Sequence, residues 1–121
     1  MYEDIERSPF CHIVIPAPDL DLSLEFYSNV FGWEVQKNIP GRKYWFFKSG
    51  NIGGALDGNR RPASGSVLLI LRVNDINAML EKIKQHGGIV TRNCEAIGEA
   101  DAGYDAYFLD PNGNEIGLYS M

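Results

Sequence analysis

The sequence predicts an α+β fold in which two tandem βαβββ units form a curved mixed sheet around a cavity, with one helix per unit on the outer face. Three observations predict it: strand-like runs bounded by turn residues, two amphipathic helices, and an internal repeat. The chain has 121 residues, enough for one domain with its own core. We therefore expect residues 1–121 to form a single domain.

Seven short runs are rich in β-branched or aromatic residues and are bounded by Gly, Pro, Asn or Asp, which is typical of strands. These runs are Phe10–Ile15, Trp33–Gln36, Tyr44–Phe47, Val67–Val73, Ile89–Thr91, Ala106–Leu109 and Glu115–Tyr119. The glycine-rich segment Asn51–Leu56 is predicted to be an eighth strand.

Two helices are predicted between the strands, at Asp19–Phe31 and Asp75–His86. Each begins with an aspartate suited to an N-cap, and Gly32 and Gly87 are placed to end them. Apolar residues recur at helical spacing in both: Leu20, Leu24, Tyr27 and Phe31 in the first, and Ile76, Leu80 and Ile83 in the second.

The halves of the chain repeat each other. The helices correspond at an offset of 56 residues, and the strands that follow them correspond at an offset of 63, which places Gly54 on Gly117. The change of offset implies about seven additional residues in the second half, within Asn93–Gly103. We therefore divide the chain into units at about residues 8–58 and 66–120, joined by a linker at about 58–65.

Composition excludes several functions. The formal net charge of −5 gives no electrostatic reason to expect nucleic-acid binding. No apolar run approaches the roughly 20 residues of a membrane helix, and the acidic N-terminus does not resemble a signal peptide. The two cysteines, Cys11 and Cys94, indicate no disulfide framework, so we expect a reduced, cytoplasmic protein.

Two segments carry a family resemblance. HIVIPAPDLDLSLEFYSNVFGWEV, from His12 to Val35, and LDPNGNEIGL, from Leu109 to Leu118, resemble the vicinal oxygen chelate superfamily. That group includes lactoylglutathione lyase, extradiol dioxygenases, methylmalonyl-CoA epimerase, and fosfomycin- and bleomycin-resistance proteins. The FY…FGW and DPxGN signatures indicate the fold rather than an activity.

The resemblance also implies a set of metal-ligand positions. Metalloenzymes of this superfamily use a histidine on the first strand of each unit and a carboxylate near the last. Carried over, these positions are His12, Gly54, Leu68 and Gly117, and the offsets of 56 and 63 give the same register. Only His12 can bind a metal. One imidazole does not hold a catalytic ion, so we expect no cofactor.

Glu115 is the alternative source of a carboxylate. It is predicted to share a face with Gly117 but lies two residues away, roughly 6.6 Å along a strand, whereas metal–oxygen distances are about 2 Å. The alternative reading is therefore a lyase, epimerase or dioxygenase that binds zinc, nickel, manganese or iron through His12 and a relocated carboxylate.

Strand alternation predicts which side chains line the cavity. His12 shares a face with Val14, Leu68 with Ile70 and Arg72, and Glu115 with Gly117 and Tyr119, while either Tyr44 or Trp45 faces inward. The glycines leave room for a flat or bulky ligand. The predicted ligand-binding residues are His12, Tyr44, Trp45, Gly54, Leu68, Arg72, Tyr107, Glu115, Gly117 and Tyr119.

The residues therefore favour a metal-free protein that binds a small planar or hydrophobic molecule, over a metal-dependent enzyme. The resemblance further implies a homodimer, which exposed strand edges would permit. No nucleic-acid or membrane partner is expected.

Overall fold

The computed structural model describes residues 10–37, 40–63, 65–98 and 102–121. It contains two helices and eight strands in the order βαβββ–βαβββ, which confirms the predicted α+β class and its repeat. The elements are β1 (His12–Pro16), α1 (Leu20–Phe31), β2 (Glu34–Gln36), β3 (Tyr44–Ser49), β4 (Ile52–Asp57), β5 (Leu69–Arg72), α2 (Ile76–Gln85), β6 (Ile89–Ala96), β7 (Tyr104–Leu109) and β8 (Glu115–Ser120).

The strands form two open four-stranded sheets rather than one continuous sheet. The first has the order β1-β4-β3-β2 and the second the order β5-β8-β7-β6. In each, the first and last strands of the unit pair in parallel, and the other pairs are antiparallel. The units are thus alike in topology, with β1 and β5 at edges of their sheets.

The predicted helix ends are confirmed. Asp19 and Asp75 accept hydrogen bonds from the backbone amides three residues on, at 3.2 and 3.0 Å. Gly32 ends α1 in the left-handed conformation, with φ of 71°. After α2, Gly87 has φ of 92° and Gly88 donates to the carbonyl of Ile83 at 2.8 Å, which is a Schellman motif.

The core lies on one side of the two sheets, beneath the helices. Ile76, Leu80 and Ile83 are buried on α2 as predicted. On α1 the buried stripe differs from the prediction: Phe26, Tyr27 and Val30 are buried, whereas Leu20, Leu24 and Phe31 are half-buried. The stripe is displaced because α1 also packs against the second unit, where the rings of Phe26 and Phe108 lie 5.9 Å apart.

Three aromatic rings stack under α1. Trp33 lies between Tyr27, at 4.6 Å, and Phe47, at 4.5 Å, with both pairs of rings within 9° of parallel. All three side chains are buried. Trp33 of the FGW signature is therefore a core residue.

The DPNGN loop fixes the second unit to the first. Asp110 is only 2% exposed and accepts a hydrogen bond from the Tyr27 hydroxyl at 2.7 Å. Burial, followed by the charge of Asp110, raises the pKa of Tyr27 well above 10.0, so the phenol remains a donor. Asn114 donates to the carbonyl of Pro16 at 2.6 Å, and Asn112 donates to the hydroxyl of Ser23 at 2.7 Å.

The additional residues of the second half lie partly in β6, which extends to Ala96 with two irregularities in its pairing. Residues 99–101 of the predicted Asn93–Gly103 segment lie outside the described residues, as do residues 8 and 9 of the predicted first unit. Neither of the described helices has the length and apolar character needed to cross a membrane.

Candidate functional site

Each sheet has an open face, on the side away from the helices. On the first open face, His12 Nε2 lies 3.0 Å from the Tyr44 hydroxyl. Their rings are nearly parallel at 6.3 Å, and Phe46 meets His12 edge-on at 6.2 Å. Because Tyr44 and Phe46 also contact each other, at 5.5 Å, the three rings form one cluster, which we call the His12 cluster.

Small residues of β4 let this cluster form. Gly53 pairs with His12, and Ala55 pairs with both Val14 and Phe46, so both small residues lie on the open face between β1 and β3. Neither presents a bulky side chain there. The imidazole can therefore lie across β4 and contact rings that project from β3.

The structure corrects the position of Gly54. It pairs with Ile13 and Phe47, which pack toward the helices, so it lies on the face opposite His12. A Cβ there would overlap the carbonyl of Ile13 and come within 2.8 Å of the Phe47 ring. Gly54 therefore gives the open face no additional room.

The reason is a difference between two hairpins. In the first unit Ser49 pairs with Ile52, so the turn has two residues, whereas in the second Leu109 pairs with Glu115 across a five-residue loop. Matching the Gly-Asn dipeptides therefore misaligns β4 and β8 by one position. By pairing, Gly117 opposite Ile70 corresponds to Ala55 opposite Val14.

On the second open face, Gly117 is flanked by Ile70 and Tyr107, with which it pairs. A Cβ at Gly117 would lie 3.1 Å from Ile70 Cγ1 and 3.2 Å from the Tyr107 ring. These side chains already cover the glycine, which is buried. The expected free space above Gly117 is therefore filled by its neighbours.

Arg92 also lies on this face, although the sequence does not predict it as a site residue. Its guanidinium lies 4.5 Å from the centre of the Tyr107 ring and forms an ion pair with Asp105. The Tyr107 hydroxyl donates to Asp105 at 3.4 Å. The predicted strand ends at Thr91, whereas β6 continues through Arg92. Phe46 and Ala55 become recognisable as open-face residues only when the β3–β4 register is known.

The remaining predicted residues are dispersed. Trp45 lies on the face opposite Tyr44, with Lys37 Nζ 4.7 Å from its ring, so Tyr44 is the one that joins the open face. Arg72 is exposed and pairs with Tyr119, whose hydroxyl donates to the carbonyl of Ala102 at 3.3 Å. Leu68 and Glu115 both line a cavity beside the linker.

The side chains at the four corresponding positions do not fit a divalent cation. With the corrected register they are His12, Ala55, Leu68 and Gly117, which offer one imidazole nitrogen among them. Within the described ranges no group of three or more His, Cys, Asp or Glu residues could hold a metal ion. The carboxylates of Asp57 and Asp110 have other partners, the Arg60 guanidinium and the Tyr27 hydroxyl respectively.

These features define a two-unit α+β scaffold with helices on one side and open sheet faces on the other. The family model of the Glyoxalase/Bleomycin resistance protein/Dioxygenase superfamily matches residues 10–118. The chain therefore belongs to this superfamily, as its resemblance to the vicinal oxygen chelate proteins predicted.

Similar proteins agree with that assignment. A glyoxylase-like domain-containing protein of Didymella fabae is 31% identical, over 84% of this chain and 85% of that protein. Lactoylglutathione lyase GLX1 of Arabidopsis thaliana is 27% identical over 86% of this chain, which spans only 41% of that enzyme. A glyoxalase-related enzyme of Fulvimarina pelagi has the same fold, with a TM-score of 0.75 and 23% identity over 93% of this chain and 87% of that one.

Proposed function

We propose that this protein binds a small planar or hydrophobic molecule on its open faces, without a metal ion. The observation that carries the proposal is the His12 cluster, in which three rings lie together at a position where metalloenzymes of the superfamily are expected to bind their ion. Stacking and hydrophobic contact need no metal, and aromatic rings favour both.

The cluster offers a ligand both apolar and polar contacts. Tyr44 and Phe46 are half-buried, so parts of their rings remain accessible. His12 is exposed, and its contact with the Tyr44 hydroxyl leaves the second ring nitrogen available to a ligand. A flat molecule with one polar substituent suits this arrangement.

The metal-dependent alternative has less support. Glu115 belongs to the second sheet and His12 to the first, and Glu115 lines cavities beside the linker. Although one relative is named a lactoylglutathione lyase, this chain offers one donor at the four corresponding positions. We therefore do not extend that activity to this protein.

A ligand screen tests the proposal. Ligand-observed NMR with a panel of planar aromatic compounds should yield binders of micromolar affinity. His12→Ala and Phe46→Ala should each weaken them about tenfold, because each removes a ring from the contact.

The chain provides a matched control. His86→Ala removes the other histidine, which lies at the end of α2 and contacts Glu25 at 2.9 Å. This variant should bind as the unaltered protein does. The proposal fails if no planar compound binds, or if both histidine variants weaken binding equally.

We further propose a cytoplasmic homodimer. Within the described residues, the outer strands of each sheet pair on one side only, which leaves edges for a second copy, and Cys11 and Cys94 are free thiols. Sedimentation equilibrium should give about twice the 13.5 kDa chain mass. A monomer at millimolar concentration would exclude this part of the proposal.

A further inference from the structure

A cavity of ≈ 390 Å³ lies between the two sheets, beside the linker. We call it the inter-sheet cleft. Its apolar walls come from the edge strands β1 and β5 and from β8, through Ile13, Ile15, Leu69 and Ile116. The segment between β4 and β5 contributes Arg61, Ala63 and Val67. The volume falls within the range of about 300–1,000 Å³ that is usual for small-molecule sites.

Three charged side chains line this cleft, Arg60, Arg61 and Glu115, and two of them are unpaired in the part of the chain that the structure describes. Arg61 comes from the linker and Glu115 begins β8. Within the described residues, neither side chain makes an ion pair within 4.0 Å. By contrast, the adjacent Arg60 has a partner, because its Nε lies 3.8 Å from Asp57. The cleft therefore combines apolar walls with one available cation and one available anion that are not paired with each other.

An exposed apolar residue also borders the cleft. Val67 is 89% exposed, and it lines both the cleft and an adjoining cavity of ≈ 270 Å³. Glu115 and Ala63 line both cavities as well. A ligand that entered here would remove Val67 from water, which favours an apolar body of more than a few atoms.

We infer that the inter-sheet cleft binds a small apolar zwitterion, of the size of an aromatic amino acid. Its carboxylate is recognised by Arg61, whose guanidinium offers paired donors. Its ammonium is recognised by Glu115, and its apolar side chain contacts the walls formed by Ile13 and Leu69. A zwitterion bridges the two charges, whereas a ligand with one charge leaves the other unpaired.

Three related probes test this inference: L-phenylalanine, which carries both charges, 3-phenylpropionate, which lacks the ammonium, and phenethylamine, which lacks the carboxylate. Calorimetric titration of the full chain should show L-phenylalanine binding one site about tenfold more tightly than either analogue. Equal or tighter binding of an analogue would overturn the inference.

Variants of the charged residues assign the contacts. Arg61→Gln should weaken the binding of L-phenylalanine about tenfold and leave that of phenethylamine unaffected. Glu115→Gln should likewise weaken the binding of L-phenylalanine about tenfold and leave that of 3-phenylpropionate unaffected. Arg42→Gln and Glu34→Gln are matched controls, because both residues are exposed and neither lines the cleft. The inference is wrong if the controls weaken binding as much as the cleft variants.

A filled cleft tests the location. Ala63 is exposed on the linker, so Ala63→Trp places a large ring at the cleft without altering the core. Binding of L-phenylalanine should be lost while the melting temperature is retained, and unchanged binding would place the ligand elsewhere. His12→Ala should leave this binding unchanged, which separates the cleft from the open-face site proposed above.

Discussion

The hairpins β3–β4 and β7–β8 end the two repeated units with the same Gly-Asn dipeptide, yet they differ in geometry. Gly50-Asn51 forms the whole two-residue turn of the first. Gly113-Asn114 ends a five-residue loop in the second, where Asn114 donates to Pro16 in the other unit. The first turn therefore only reverses the chain, whereas the second loop also joins the units.

The difference has a consequence for the open faces. A shift of one residue in a strand reverses which side chains face each way. Gly54 and Gly117 match in sequence, but Gly54 faces the core and Gly117 faces outward. Matching residues in a sequence repeat thus identify which strands correspond. Only the hydrogen-bonded pairing of the strands identifies which residues occupy equivalent positions.

The largest effect is expected for a methyl group added at Gly54, with Gly117 as the comparison. Gly54→Ala should destabilise the protein by more than about 3 kcal/mol, because the new Cβ overlaps backbone that cannot move aside. Gly117→Ala should cost about 1 kcal/mol, because Ile70 and Tyr107 are side chains that can shift by a few tenths of an ångström. Urea unfolding measures both, and equal losses would contradict the assigned faces.

A smaller effect is expected in the loops. Asp110→Ala should cost about 3 kcal/mol, because it leaves the Tyr27 hydroxyl and the amides of Asn112 and Asn114 without their acceptor. Asn51→Ala in the other turn should cost less than about 0.5 kcal/mol, because Asn51 is exposed.

A double-mutant cycle sharpens that result. Tyr27→Phe should cost about 1 kcal/mol in the unaltered protein and close to nothing in Asp110→Ala, because the hydroxyl has already lost its partner. If the two losses simply add, the Tyr27–Asp110 contact does not stabilise the joint between the units.

The smallest effect concerns the contact between the helices. His86 lies 2.9 Å from Glu25, and its hydrogen bond is the main cause that lowers the pKa of Glu25 below 4.5. A lowered pKa means that the native state binds the proton less well than the unfolded state does. The contact therefore stabilises the fold fully above pH 4.5, and this contribution is lost as the pH falls through the lowered value.

Glu25→Gln should accordingly cost a few tenths of a kcal/mol near pH 5.5, since Glu25 is largely exposed, and less near pH 3. Urea unfolding at both pH values measures the difference. Glu34→Gln is the control, and the same pH dependence in both variants would exclude a specific role for the contact.

Much of the fold followed from the sequence because it rests on local chemistry. Asp19, Asp75, Gly32 and Gly87 are residues whose side chains or left-handed backbone define helix ends, and each has the predicted role. Strand alternation likewise placed Ile70 and Arg72 on the face of Gly117. These inferences need only the residue and its neighbours.

The remaining features depend on contacts distant in sequence. The stripe of α1 includes Phe26 because Phe108 packs against it from the other unit. The positions of Gly54 and Ala55 depend on a turn length that the Gly-Asn dipeptide does not specify. The side chains covering Gly117 come from two other strands, so the apparent space at a glycine in the sequence was already occupied.

The most direct test of a metal-free open face is calorimetric titration of the chelator-stripped protein with zinc, nickel, manganese and ferrous iron. We predict no site tighter than about millimolar, which corresponds to about −4 kcal/mol, because His12 is the single donor at the four corresponding positions. A stoichiometric micromolar site that is lost in His12→Ala and kept in His86→Ala would contradict the account and favour the metal-dependent alternative.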